Sequence, residues 1–149
     1  MATIYFDLDG TLYNLYGQKN WLERITTQAD PTAYSNENAT LVDMVALQDV
    51  IFKLMDKGYN IGAITWLAKG ASKEYNKAVR KVKREWIDKF LPMATEVHIT
   101  KYGTSKHRLA KDKQGILVDD NAYILEKWNL GLTIDAKKNL IPQLEMLVG

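Results

Sequence analysis

The chain has 149 residues, the length of one domain with one substantial hydrophobic core. Its 46% hydrophobic and 26% charged residues are ordinary for a folded globular protein and argue against disorder. The absence of cysteine excludes disulfides and thiolate chemistry, and two histidines are too few for a three-histidine metal site. Because neither a long apolar run nor a basic-then-apolar N-terminus is present, we expect no membrane span, no secretory leader and a cytoplasmic location.

Charge is unevenly distributed along the chain. Residues 73–113 hold twelve Lys or Arg against five Asp or Glu, and the segments on either side are net acidic. The net charge of the whole chain is only +2, which is too small to indicate wholesale nucleic-acid binding. The basic segment is therefore interpreted either as an anion-binding surface or, more simply, as a solvated helix face.

The first half of the chain alternates between predicted strands and helices. Residues 3–8 read as a short buried strand, and Asp9-Gly10-Thr11 ends it with turn chemistry. Residues 12–38 have weak periodicity, with a short helix expected around 18–27 and loops at 30–31 and 35–38. Apolar residues then recur at helical spacing from Leu41 to Met55, including Val45. Gly58 ends that helix, and a second strand covers 59–66.

The second half continues the alternation. Ser72 is the predicted N-cap of a long helix with an apolar stripe formed by Tyr75, Val79, Val82, Trp86 and Phe90. The later elements are strands at 96–100, 115–118 and 132–134, a short helix or turn at 103–111, and helices at 122–128 and 141–148. This order predicts an α/β fold, a Rossmann-like three-layer sandwich with a central parallel sheet and a small insertion after the first strand.

Acidic and hydroxyl side chains stand where three of the predicted strands end. Asp7 and Asp9 end the first strand, Thr65 the second, and Asp119 and Asp120 the fourth. Since the carboxyl ends of parallel strands share one edge of a sheet, the four carboxylates should meet. Two unit charges about 4 Å apart repel by about 4 kcal/mol at an effective dielectric constant of about 20. A Mg²⁺ ion bound by all four aspartates would remove that cost, because it prefers oxygen ligands.

The spacing of Asp7 and Asp9 suggests that the two carboxylates have different chemical roles. Residues two apart in an extended chain lie on the same side, so one carboxylate can attack phosphorus while the other transfers a proton. Gly10 lets the backbone turn tightly and expose amide donors to a phosphate. The simpler alternative is capping, of a turn by Asp9 and of the next helix by Asp119 or Asp120. Capping does not explain why the acids gather at the ends of separate strands.

These motifs, in this order, resemble those of the haloacid dehalogenase (HAD) superfamily, whose commonest members are Mg²⁺-dependent phosphatases. The matching residues are Asp7-Leu8-Asp9-Gly10-Thr11, Thr65, a lysine, and Asp119-Asp120, so the resemblance spans residues 4–121. Within the superfamily the pattern is most similar to the deoxyribonucleotidase-type (5′-nucleotidase) members, because of the paired aspartates and the small size. The resemblance implies a single HAD-like domain over residues 1–149.

The resemblance also implies roles for the acids. Asp7 would be the nucleophile that takes the phosphoryl group. Asp9 would protonate the leaving oxygen and then activate water, and its backbone carbonyl would bind Mg²⁺. Asp119 and Asp120 would hold the metal, with Asp120 as the direct ligand.

The expected phosphate-binding residues are Gly10, Thr65, Trp66 and a lysine, of which the resemblance implies Thr65 and the lysine. Thr65 would hydrogen-bond a phosphate oxygen, although a threonine in a strand is also an ordinary structural residue. Trp66 would stack on a nucleobase or sugar, or it is a core or rim residue. The lysine is assigned to Lys106, with Lys101 as the alternative, because both lie between the third and fourth strands.

Residues 12–38 provide the material for a lid over the site. They are too few for the helical-bundle cap of the larger deoxyribonucleotidases, so a minimal cap is expected. The implied function is a Mg²⁺-dependent phosphomonoesterase acting on a small phosphorylated substrate, with a nucleotide favoured. Two alternatives remain: a phosphatase of nucleic-acid 3′ ends, whose backbone the basic segment would track, and a non-catalytic binding protein with the same fold.

Overall fold

A computed structural model describes residues 2–27, 31–34 and 40–149. Residue 30 and residues 35–38 of the two expected loops lie outside the described residues, and so do the corresponding parts of the expected lid over 12–38. Within the described ranges, no helix combines the length and the apolar character needed to cross a bilayer.

A five-stranded parallel sheet forms the centre of the molecule. Its strands are β1 (Thr3–Phe6), β2 (Asn60–Trp66), β3 (Glu96–Thr100), β4 (Ile116–Asp119) and β5 (Thr133–Asp135). The spatial order is β3-β2-β1-β4-β5, and every neighbouring pair is parallel. In this register Phe6 lies opposite Ala63 on one side and Val118 on the other. The carboxyl ends of β1, β2 and β4 are therefore adjacent at one edge.

Helices connect the strands. They are α1 (Trp21–Thr26), α2 (Met44–Asp56), α3 (Lys73–Phe90), α4 (Lys106–Leu109), α5 (Ala122–Trp128) and α6 (Leu140–Val148), with a 3-10 helix at Pro31–Tyr34. Each strand predicted from the sequence is present; β4 and β5 each lie one residue later than expected, and β1 ends two residues earlier. The predicted parallel α/β architecture is confirmed.

Alternation along β1 separates two cores, one on each face of the sheet. Ile4 and Phe6 belong to the larger core, which also contains Leu47 from α2. Tyr5 points to the opposite face, where its ring meets that of Trp128 edge-on with the centroids 5.7 Å apart. Because both faces of this fully buried strand are covered, the sheet is the middle layer of a three-layer sandwich.

Helix α2 buries a narrower face than its sequence pattern suggests. Asp43 caps its first turn by accepting hydrogen bonds from the amides of Val45 and Ala46. The buried residues are Leu47, Val50, Ile51 and Leu54. The apolar residues Leu41, Val45 and Met55, which the spacing also assigned to the core, are exposed. Apolar residues occupy more than one face of this helix, and only one face meets the sheet.

Candidate active site

Three carboxylates meet at the ends of β1 and β4. The amide of Asp7 donates to the carbonyl of Val118 over 2.9 Å, which brings the end of β1 beside Asp119 and Asp120. One carboxylate oxygen from each of Asp7, Asp119 and Asp120 lies within 4.8 Å of the other two. Asp7 and Asp119 are buried, and Asp120 is half-buried. These three residues could hold a metal ion through oxygen ligands.

Lys106, the first residue of α4, is the cation of this cluster. Its Nζ donates to Asp7 Oδ1 and to Asp119 Oδ2, each over 2.8 Å. Burial by itself lowers the pKa of Lys106, but the two carboxylates outweigh it and raise the pKa above its usual value. The ammonium therefore stays charged. The alternative, Lys101, is exposed.

One ammonium does not neutralise three carboxylates. Burial, followed by the charges of Asp7 and Asp119, raises the pKa of Asp120 to about 7. Burial and the charge of Asp7 also raise the pKa of Asp119, against the opposing effect of Lys106. Such shifts mark carboxylates that the fold both buries and crowds together. A hard divalent cation with oxygen ligands, such as Mg²⁺, fits this donor set.

Thr11 and Gly10 hold the cluster together. The Thr11 hydroxyl lies 2.8 Å from Asp7 Oδ2 and 3.2 Å from Asp120 Oδ1, so it can donate to either carboxylate. Gly10 has φ +78°, and a Cβ atom there would lie 2.4 Å from Asp120 Oδ2 and 2.8 Å from a ring carbon of Tyr16. Only glycine permits both the turn and this close approach.

Asp9 has a different environment from the other acids. Its Oδ2 accepts a 2.6 Å hydrogen bond from Nζ of Lys83, and its carboxylate is not part of the Asp7, Asp119 and Asp120 cluster. Burial raises the pKa of Asp9, and Lys83 works in the opposite direction. Its expected binding of metal through the backbone carbonyl stays a prediction.

Lys83 is a residue of the site that the sequence reasoning missed. It is completely buried on α3, and its Nζ also donates to Thr65 Oγ1 and to the carbonyl of Trp66, each over 2.7 Å. The ring of Tyr34 lies 4.9 Å from the same nitrogen. The signal was a lysine one helical turn after Val79, within the apolar stripe.

The structure places Thr65 and Trp66 differently from each other. Thr65 is fully buried, with its hydroxyl accepting from Lys83, and it does not line the cavity described below. Trp66 lines that cavity, and its Nε1 donates to the carbonyl of Thr104 over 2.9 Å. The ring of Trp66 also lies 5.4 Å from Nζ of Lys106. Their roles in phosphate binding remain predictions.

A cavity of about 450 Å³ opens above the acids. Asp7, Asp9, Lys106, Asp119 and Asp120 form its polar floor, and Lys69 also lines it. Aromatic side chains form much of the rest: Tyr16, Trp21, Tyr34, Trp66 and Tyr102. The volume is in the range of small-molecule sites, and the rings offer flat apolar surfaces beside a charged centre.

Comparison with known proteins supports the architecture. No protein-family model matches the chain, and no curated protein matches it either. Among solved structures, the chain is similar to a chain of a structure described as the Pnkp1/Rnl/Hen1 RNA repair complex, with a TM-score of 0.52 and 15% sequence identity. The similarity covers 90% of this chain and 42% of that one, so this chain spans less than half of its neighbour's length. At this identity the similarity shows a common fold.

Proposed function

We propose that this chain is a Mg²⁺-dependent phosphomonoester hydrolase that forms an aspartyl-phosphate on Asp7. The observation that carries the proposal is the cluster of Asp7, Asp119 and Asp120, in contact with Lys106, at the floor of a cavity of about 450 Å³. The order of the motifs along the sequence, which resembles that of the HAD superfamily, supports the same chemistry.

The residues present suit Mg²⁺ by charge and by ligand type. Asp7, Asp119 and Asp120 would hold the ion, and the backbone carbonyl of Asp9 is an expected further ligand. When bound, Mg²⁺ reduces the repulsion between Asp7 and an incoming phosphate. Lys106 supplies a second positive charge, which stays in place because its pKa is raised by the neighbouring carboxylates.

Both halves of the proposed reaction use residues that line the cavity. In the first, a carboxylate oxygen of Asp7 bonds to phosphorus while the ester P–O bond breaks, and the leaving oxygen takes a proton from Asp9. In the second, Asp9 takes a proton from a water molecule as that water attacks the phosphorus and the bond between phosphorus and the Asp7 oxygen breaks. Inorganic phosphate and the free Asp7 carboxylate result.

Nucleotides are the proposed substrates. The aromatic side chains around the cavity would contact a nucleobase or sugar, while the phosphate lies at the polar floor. The motif pattern, which resembles deoxyribonucleotidase-type enzymes, supports the same substrate class.

A phosphatase of nucleic-acid 3′ ends is the second candidate. The structural neighbour belongs to a complex described as one of RNA repair. Helix α3 also exposes Lys73, Lys77 and Lys81, which could contact a phosphate backbone. Hydrolysis of a 3′-phosphorylated oligonucleotide that weakens steeply with salt would favour this candidate, whereas salt-insensitive hydrolysis restricted to mononucleotides would exclude it.

The test of the proposed function compares the wild-type protein with Asp7→Asn on nucleotides, sugar phosphates and oligonucleotides, with and without Mg²⁺. We expect Mg²⁺-dependent phosphate release by the wild type and a loss of about a thousandfold or more in Asp7→Asn, because the nucleophile is gone. Asp49→Asn, the same substitution at an exposed site on α2, is the matched control. Full activity in Asp7→Asn would refute the covalent route, and an inactive wild type would favour a binding protein.

A further inference from the structure

Lys83 is a fully buried lysine whose ammonium group donates three hydrogen bonds to atoms beside the candidate active site. Its ammonium has three N–H donors, and three acceptors surround it: Asp9 Oδ2, Thr65 Oγ1 and the carbonyl of Trp66. The acceptors lie at 2.6–2.7 Å, so the nitrogen is held from three directions. Because Lys83 belongs to an 18-residue helix, its position is set by the body of the fold.

The two oxygens of Asp9 are not equivalent as a result. Oδ2 is bound to Lys83, whereas Oδ1 is buried and has no hydrogen-bond partner among the residues that the structure describes. Asp9 lines the cavity. Lys83 is therefore the side chain that fixes the orientation of this carboxylate.

We propose that Lys83 is a positioning residue, which holds Asp9 by Oδ2 and so fixes the carboxyl group for proton exchange with the leaving group. This inference rests on the proposed function. As the bond between Asp7 and phosphorus forms and the ester P–O bond breaks, the electron pair of that bond goes to the leaving oxygen. The proton on the Asp9 carboxyl group then moves to the same oxygen, and Asp9 Oδ2 keeps its hydrogen bond from Lys83.

The test uses leaving groups that differ in their need for a proton. p-Nitrophenyl phosphate releases a stabilised anion, whereas phenyl phosphate, of similar size, releases a much more basic one. If Lys83→Met misplaces Asp9, kcat/KM, which reports the step that releases the leaving group, should fall about tenfold or more further for phenyl phosphate than for p-nitrophenyl phosphate, within the usual range of general acid catalysis. A purely structural role would lower both rates by the same factor.

Two controls make the result specific. Lys53→Met removes a lysine from an exposed position on α2, away from the basic segment, and should leave both rates unchanged. In the double variant with Asp9→Asn, Lys83→Met should add little to the loss caused by Asp9→Asn alone, because both changes act through one carboxylate. Lys83→Gln keeps an N–H donor, so it should recover part of the phenyl phosphate rate; it also replaces Lys83→Met in the whole series if that variant does not fold.

The outcomes separate this inference from the proposed function. The positioning role is overturned, and the hydrolase remains, if the wild type hydrolyses both esters and Lys83→Met lowers both rates by the same factor. The same conclusion follows if the effect of Lys83→Met adds fully to that of Asp9→Asn. A wild type inactive on every phosphomonoester overturns both. A selective loss for phenyl phosphate that disappears in the Asp9→Asn background establishes the role.

Discussion

Replacing Asp120 by asparagine should stabilise the metal-free protein at alkaline pH. The substitution removes one negative charge from the cluster with Asp7 and Asp119 and keeps an oxygen that can accept from Thr11. The pKa of Asp120 is raised to about 7, so above that pH the folded wild type carries a charge that burial and two neighbouring acids oppose. The asparagine of the variant is neutral at every pH and never carries this charge.

The size and the pH window of the effect follow from the raised pKa. The shift from 3.8 to about 7 corresponds to about 4 kcal/mol at about 1.36 kcal/mol per unit. Partial exposure of Asp120 reduces this to about 2 kcal/mol through solvent screening. Since the pKa of this acid is higher in the folded state, its stabilising contribution is full below about pH 4 and is lost as the pH rises through about 7. The advantage of Asp120→Asn should therefore appear over that interval.

Thermal unfolding between pH 4 and pH 8, with chelator and then with Mg²⁺, measures the effect. Without metal, about 2 kcal/mol corresponds to a melting temperature about 4–8 °C higher for Asp120→Asn at pH 8, and the difference should vanish near pH 4. Mg²⁺ should raise the melting temperature of the wild type more than that of the variant, because ligand binding stabilises only the state that binds it. Equal melting curves at pH 8 together with no response to Mg²⁺ would refute the reasoning.

Two further substitutions probe the same centre. Lys106→Met should destabilise the metal-free protein by about 3–5 kcal/mol in denaturant unfolding at pH 8, because it leaves Asp7 and Asp119 buried without their cation; an unchanged midpoint would contradict this account. Gly10→Ala should cost about 1–3 kcal/mol and lower the affinity for Mg²⁺ in calorimetry, since φ is +78° and the new methyl group would displace Asp120. Wild-type affinity in that variant would show that the close approach has no bearing on metal binding.

The sequence predicts the architecture because its signals are local. A short apolar run such as Thr3–Phe6, followed by turn residues, is typical of a buried strand, and alternation with helices implies the parallel sheet that the structure shows. The rule that strand ends share one edge then brings together residues as distant along the chain as Asp7 and Asp119. It predicts adjacency, and the 4.8 Å limit on their separation comes only from the structure.

Lys83 shows what such reasoning omits. An apolar stripe assigns positions on a helix to the core, and a lysine there is interpreted as solvated unless a buried partner is known. The partner, Asp9, is 74 residues away and belongs to a different motif. The exposed apolar side chains of α2 illustrate the converse, because spacing cannot tell which of two apolar faces meets the sheet. Leu47 lies on the buried one and Val45 does not.

The charged floor and the aromatic walls of the cavity come largely from different parts of the chain. Asp7, Asp119 and Lys106 belong to the strand ends and α4, whereas Tyr16, Trp21 and Tyr34 precede α2. Grafting a new sequence onto residues 15–34 should therefore change which phosphate esters the proposed hydrolase accepts, while leaving the charged floor in place. Such a graft should retain an aromatic ring at position 34, because that ring packs against the nitrogen of Lys83.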